Sequence, residues 1–132
     1  MATKTDGTLW AWGNNQSGQL GDGTTTNTSS PVQIGALTDW GTSQTASGYG
    51  WMAVKTDGTL WGCGDNTNGM IGDGTTTNRS SPVQVGALTT WAKVARGSGS
   101  TLALKTDGAL WAFGYNNAGQ LGQGNTTNTS SP

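Results

Sequence analysis

Lys55-Thr56-Asp57-Gly58-Thr59-Leu60-Trp61 also stands at residues 4–10 and, with Ala109 replacing the second threonine, at residues 105–111. The spacings are 51 and 50 residues. Outward from this heptapeptide, residues 4–38 match 55–89 at 26 of 35 positions, and residues 4–31 match 105–132 at 21 of 28. A fixed period of this length marks a repeat architecture. It divides the chain into units at 4–54, 55–104 and 105–132, the last incomplete.

Within a unit the pattern is that of strands. Thr101-Leu102-Ala103-Leu104-Lys105 and Ala109-Leu110-Trp111-Ala112-Phe113 are strand-like runs joined through Asp107-Gly108. Asp-Gly is a strong signal for a two-residue hairpin, and a type I′ turn is expected. The loop that follows, Gly13 to Gly23, is too rich in glycine for regular structure. Its one apolar residue, Leu20 (Ile71 and Leu121 in the other units), is expected to plug the core. A short strand Val32-Gln33-Ile34 follows Pro31, and a fourth starts at Trp40, with counterparts at Val83 and Trp91. The extra residue of the middle repeat is expected in the loop at Ser47-Gly48-Tyr49-Gly50. In Leu9-Trp10-Ala11-Trp12 both faces of the strand are apolar, as in a sheet sandwiched between two neighbours. Four short strands per unit of about 50 residues describe an all-β fold of propeller blades, each of four antiparallel strands, with about 2.6 blades in this chain.

Composition narrows the function. Six Lys or Arg face seven Asp, with no Glu and no His, for a net charge of −1. No basic run neutralises phosphates, so no nucleic-acid partner is expected. No polybasic stretch speaks for a membrane surface, and no apolar run approaches the roughly 20 residues of a membrane span. The first residues lack the apolar region of a signal peptide. Cys63 is the single cysteine, so no intrachain disulfide forms. Seven Trp argue for a packed fold despite the Gly/Thr/Ser/Asn excess.

Residues 4–24, with Lys-Thr-Asp-Gly-Thr-Leu-Trp-Ala-Trp-Gly-Asn-Asn leading to Gly-Gln-Leu-Gly-Asp-Gly-Thr, resemble the repeat of the regulator of chromosome condensation family. The resemblance covers essentially the whole chain. It implies a propeller, usually of seven blades, that binds another protein through loops on one face. Members include a nucleotide-exchange factor for a small GTPase, a plant ultraviolet receptor and a secreted inhibitor of β-lactamases. The His that commonly precedes the Leu-Ala-Leu strand is absent, and Tyr49-Gly50-Trp51-Met52 does not match the receptor's Trp-Arg-His-Thr signature. Light sensing is therefore not carried over, and neither are chromatin binding and nucleotide exchange, because the basic surface and the exchange loop have no counterpart here. About 22 residues would complete the third unit. The chain is expected to be a fragment of a longer propeller, or, if complete, a homo-oligomer.

Enzyme chemistry needs titratable groups placed together, and few exist here. Asp6, Asp57 and Asp107 belong to the turns. Asp22 and Asp73 precede loop glycines, with Gln123 in the third copy, and Asp39 and Asp65 are unmatched between units. Cys63 aligns with Trp12 and Phe113, a core position. Asp65-Asn66-Thr67-Asn68-Gly69 looks like a calcium loop but lacks its ligand spacing and closing Glu. Asn15, Asn27, Asn78, Asn125 and Asn128 begin glycosylation sequons. No enzyme activity, cofactor or metal is expected. Trp10, Trp61 and Trp111 share one repeated position and Trp40 and Trp91 another, as core residues would. Trp51 has Thr101 as its counterpart and lies beside Tyr49, so Tyr49 and Trp51 are the candidate recognition residues. The function expected is a non-catalytic protein-interaction scaffold, with a protein partner on the loop face. The alternatives are a glycan-binding, lectin-like propeller or a structural repeat of a surface or virion protein. Low charge and Thr/Asn/Gly richness lean toward an extracellular, cell-surface or virion setting.

Overall fold

The computed structural model describes residues 1–132, apart from the side chain of Thr42. It contains ten strands and, among the described residues, no helix. They are β1 (Ala2–Thr3), β2 (Leu9–Gly13), β3 (Thr28–Gln33), β4 (Trp40–Ser47), β5 (Gly50–Lys55), β6 (Leu60–Gly64), β7 (Arg79–Gln84), β8 (Trp91–Arg96), β9 (Ser100–Lys105) and β10 (Leu110–Gly114). They form three antiparallel sheets in the orders β1-β2-β3, β4-β5-β6-β7 and β8-β9-β10. The middle sheet is the one four-stranded blade. Its strands straddle the sequence period, because β4 and β5 precede the Asp57-Gly58 turn while β6 and β7 follow it.

The heptapeptide makes a longer and more elaborate turn than a two-residue hairpin. Gly58 N–H donates to the Lys55 carbonyl at 3.0 Å, and Lys55 N–H to the Thr59 carbonyl at 2.9 Å. Gly58 has φ +79°, and among the described residues none other than glycine has positive φ. A type I′ turn needs positive φ at both central residues, and Asp57 does not supply it. The loop is instead Thr56-Asp57-Gly58, a three-residue connection whose last residue is left-handed. Asp57 Oδ1 ties the far side, accepting the Thr59 N–H at 2.9 Å and its hydroxyl at 2.6 Å. The Thr59 hydroxyl oxygen in turn accepts Trp61 Nε1 at 2.8 Å. Residues 4–10 repeat these bonds. The ring so fixed meets a lysine: Lys55 Nζ lies 4.5 Å from the Trp61 ring centroid and 5.0 Å from that of Trp40, with Asp39 at 3.3 Å.

The third copy tests this reading. Ala109 keeps the backbone bond to Asp107 at 2.9 Å but brings no hydroxyl for Trp111 Nε1. Ala109→Thr is expected to stabilise the protein by about 0.5–1 kcal/mol, the net worth of an ordinary hydrogen bond. A rise in the urea midpoint checks it, and an unchanged midpoint would mean that the hydroxyl link is ornamental.

The sheets stack through two apolar layers. Leu9, Ala11, Leu20, Ile34, Trp40, Trp51, Ala53 and Cys63 fill the first joint. The second holds Met52, Val54, Leu60, Ile71, Val85, Trp91, Ala103 and Phe113. Alternate residues of β6 therefore serve different joints: Leu60 faces one neighbour, Cys63 the other. Leu20 and Ile71 plug these layers as expected. Where a neighbour is missing the same positions are wet. Leu60 is 0% exposed, whereas its counterpart Leu110 is 65% exposed. The sheets are stitched along β4 and β8, where Val94 N–H donates to Ser43 Oγ at 3.1 Å and Ser47 Oγ donates to the Gly97 carbonyl at 2.5 Å.

The extra residue of the middle repeat is not in the 47–50 turn. Ser47 pairs with Gly50 across two residues, and Gly97 N–H reaches the Ser100 carbonyl across two residues as well. The difference lies lower in the hairpin. Trp40 pairs with Lys55 but Gln44 with Ala53, a wider bulge than the one between Trp91 and Lys93. An antiparallel ladder absorbs an added residue as a bulge without disturbing the turn beyond it.

Candidate functional site

The strands carry two sets of loops to opposite ends of the blades. One end bears the Asp-Gly turns. The other bears the β4–β5 turn at Gly48-Tyr49 and the glycine-rich loops that leave β2, β6 and β10.

Those loops are ordered by one buried amide each. Asn66 is 0% exposed. Its Nδ2 donates to Asp73 Oδ1 at 3.0 Å, to the Thr75 carbonyl at 3.0 Å and to Thr75 Oγ1 at 3.3 Å. Its Oδ1 accepts the Ile71 N–H at 2.8 Å, which seats the apolar plug. Asn78 Oδ1 accepts the Asn66 N–H at 2.8 Å. Asn15 with Asn27, and Asn116 with Asn128, do the same. All five sequon asparagines thus hold these loops through their side chains: Asn27, Asn78 and Asn128 accept as described, Asn15 is one of the buried amides, and Asn125 Oδ1 accepts Asn116 Nδ2 at 3.2 Å. The loops also clamp the next blade. Gly23 N–H donates to the Ser80 carbonyl of β7 at 2.8 Å, and a Cβ on Gly18 would stand 2.5 Å from the Ser80 Cα, so only glycine fits there.

The two candidate recognition residues part company. Tyr49 is 59% exposed at the tip of its turn. The backbone beneath it is pinned, because its carbonyl accepts the Asp65 N–H at 2.7 Å. Trp51 is 2% exposed, with its ring edge-on to Trp40 at 5.6 Å. Every residue of β5 is buried, since the middle blade is covered on both faces, so Trp51 packs where Thr101 packs in the next blade and offers no ring to a partner. Trp12 is exposed for the same reason as Leu110, since no sheet packs against that side of the first blade here. Its counterparts Cys63 and Phe113 are 0% exposed, but Trp12 lies on the outer face of the first sheet and is 46% exposed. Trp12 and Gly48 line one cleft of about 180 Å³, which places Trp12 at Tyr49's end of the blades.

The ionisable groups have structural occupations. Hydrogen bonds from the hydroxyl and backbone of Thr59 hold the Asp57 carboxyl below the usual carboxylate range. Asp73 is bound to Arg79 at 2.6 Å. Burial pushes the Cys63 thiol up to about 12, which makes it a packing residue rather than a nucleophile at neutral pH. In the Asp65–Gly69 loop, the Asp65 carbonyl accepts Arg96 Nη2 at 2.9 Å, so the positive charge at this loop is a buried guanidinium. Among the described residues no three potential metal ligands cluster.

The regulator of chromosome condensation (RCC1) repeat matches residues 6–53, 57–104 and 107–132. The chain belongs to the RCC1 repeat family. Mouse Protein RCC2 is 37% identical over 83 residues, which cover 61% of the chain and 16% of that protein. The Arabidopsis thaliana Ultraviolet-B receptor UVR8 is 35% identical over 89 residues, 67% of the chain and 20% of the receptor. The chain therefore spans a fifth or less of these relatives' length. Prp20p of Saccharomyces cerevisiae superposes with a TM-score of 0.83 at 22% identity over 99% of the chain and 34% of Prp20p, and human WBSCR16 with 0.84 at 23% over 98% of the chain and 33% of that protein. These superpositions identify the fold as part of an RCC1-type β-propeller.

The same relatives correct the expected setting. RCC2 and Prp20 are intracellular proteins, and Prp20p is described with its binding to Gsp1p and histones, so the extracellular, cell-surface or virion expectation is withdrawn. Its compositional basis has another source. Asparagine and threonine are abundant because each RCC1 loop is built around a buried amide, and glycine because the loops touch the next blade.

Proposed function

We propose that this chain is a non-catalytic protein-interaction segment of an RCC1-repeat propeller, and that a protein partner docks at the loop end that carries Tyr49. The observation that carries this reading is the 59% exposure of Tyr49 on a turn whose backbone is tied to Asp65 and whose flank is tied to Gly97. A large aromatic held at low conformational cost is the kind of side chain on which binding energy concentrates. The family lends support: Prp20p is described with binding to Gsp1p and histones, and yeast RCC1 has been solved bound to Kap60. With a net charge of −1, phosphate-rich partners have nothing to grip here.

Photo-crosslinking from position 49 and from position 108, at the opposite end, in the full gene product tests the reading. Position 49 is expected to yield a discrete protein adduct and position 108 none, with Tyr49→Ala weakening binding of the captured protein at least about fivefold. Equal labelling from both ends, or an adduct whose binding ignores Tyr49→Ala, would refute it.

A further inference from the structure

Asp22 and Asp73 occupy the same place in successive loops and are held alike through Oδ1. Asp22 Oδ1 accepts the Thr24 N–H at 2.9 Å, the Thr24 hydroxyl at 2.8 Å and Asn15 Nδ2 at 3.1 Å. Asp73 Oδ1 accepts Thr75 N–H at 3.0 Å, its hydroxyl at 2.8 Å and Asn66 Nδ2 at 3.0 Å. They differ at the second oxygen. Asp73 Oδ2 accepts Arg79 Nε at 2.7 Å and lies 2.6 Å from its Nη2, and Nη2 also reaches Thr75 Oγ1 at 3.2 Å. Thr28 stands where Arg79 stands, since Gly13 pairs with Thr28 as Gly64 pairs with Arg79. Asp22 Oδ2 accordingly takes no hydrogen bond and has no cationic partner among the described residues. Burial of this carboxyl works against its ionisation, but the bonds from Thr24 and Asn15 outweigh it and hold Asp22 below the usual range.

Asp22 also forms part of the wall of an apolar cleft. On the outer rim of the first joint, Val32, Ile34, Leu37, Trp61 and Pro82 line a space of about 400 Å³ beside it. Leu37 is 44% exposed there, an unusual place to leave a leucine. The cleft thus combines an apolar floor with an ionised carboxylate whose second oxygen is free. The second joint repeats the plan, with Asp73, Val85, Leu88 and Pro132 around about 330 Å³, but its carboxylate is already satisfied from within the chain.

We propose that the rim cleft of the first joint binds a peptide segment of a protein partner in which an arginine adjoins a large aliphatic residue. The guanidinium takes Asp22 Oδ2 and Thr24 Oγ1, as Arg79 takes Asp73 Oδ2 and Thr75 Oγ1, and the aliphatic side chain enters the cleft against Ile34, Leu37 and Pro82. Arginine is preferred over lysine because the geometry seen at Asp73 uses two nitrogens of one planar fork. Arg79 acts as an internal copy of the guanidinium and already satisfies the corresponding carboxylate of the second loop. The site is separate from Tyr49, which does not line this cleft.

Trp61 lines the cleft, so intrinsic fluorescence reports its occupancy in the full gene product. Acetylated, amidated hexapeptides with Arg-Leu, Gln-Leu or Arg-Ser at their centre serve as probes. The Arg-Leu peptide is expected to bind saturably, and each of the others about tenfold more weakly or worse, Gln-Leu for loss of a hydrogen bond to a charged group and Arg-Ser for loss of a buried aliphatic side chain. Thr28→Arg, which installs in the first loop the residue that the second loop already accommodates, is expected to abolish binding without lowering the urea midpoint, while Tyr49→Ala leaves it unchanged. Asp22→Asn provides an independent loss should Thr28→Arg fold poorly. Equal binding of the Arg-Leu and Gln-Leu peptides, unaltered binding by folded Thr28→Arg, or no saturation up to millimolar peptide would each overturn the proposal.

Discussion

Asn66→Ala is expected to destabilise the protein by about 3–5 kcal/mol, far more than a polar loop residue normally would. A truncated amide leaves its partners behind. The Ile71 N–H and the Thr75 carbonyl lose acceptor and donor inside a packed loop, and each such orphaned group costs about 1–3 kcal/mol. Asp73 Oδ1 also loses a donor, which loosens the carboxylate that Arg79 grips. Because Ile71 is 0% exposed and part of the second apolar joint, the damage extends from the loop into the stack. Urea denaturation of the full gene product measures the total, and hydrogen exchange at the Ile71 amide reports the local loss. Asn66→Asp separates shape from donation: it keeps an acceptor for Ile71 N–H but turns a second carboxylate toward Asp73, so it is also expected to be strongly destabilising. If either variant changes stability by less than about 1 kcal/mol, the side-chain staple is not what orders the loop.

This residue also shows where reading the sequence stopped. The strands were legible, because Leu60, Trp61 and Cys63 and their repeats place apolar side chains on both faces of a short run, and only a stacked sheet buries both. The turns were legible as turns but not in kind. Asp-Gly by itself suggests a two-residue hairpin, whereas the longer loop shows in the bond from Lys55 N–H to the Thr59 carbonyl, which Lys105 and Ala109 repeat without any hydroxyl. Asn66 was invisible for a stronger reason. A loop of glycine, asparagine and threonine has the composition of a flexible segment, and nothing in its spacing says that one amide will be sealed from water with all its valences used. The signal for it is the recurrence of Asn15, Asn66 and Asn116 with Asn27, Asn78 and Asn128 at a constant separation of twelve residues, as a hydrogen-bonded pair requires.

Trp51→Ala is expected to cost about 3–5 kcal/mol, the range for emptying an aromatic site in a packed core, whereas Tyr49→Ala is expected to fall within about 0.5 kcal/mol of the parent, as exposed substitutions do. The two residues are neighbours in sequence and look equally suited to recognition, so the contrast isolates burial as the deciding variable. Trp51 lies against Trp40 in the first apolar joint and is in reach of the clamp loop, where a Cβ on Gly21 would stand 3.3 Å from its Cζ2. Removing the indole therefore opens a void between two blades, and the stack has no other element with which to refill it. The indole N–H makes no hydrogen bond among the described residues, so the site values volume and shape rather than polarity. Trp51→Phe is accordingly expected to recover most of the loss, leaving about 1–2 kcal/mol for the smaller ring. Equilibrium unfolding checks the series, with partner capture measured in parallel on the folded proteins. A stable Trp51→Ala protein that had lost only binding would return Trp51 to the surface and undo the account of how these blades are held together.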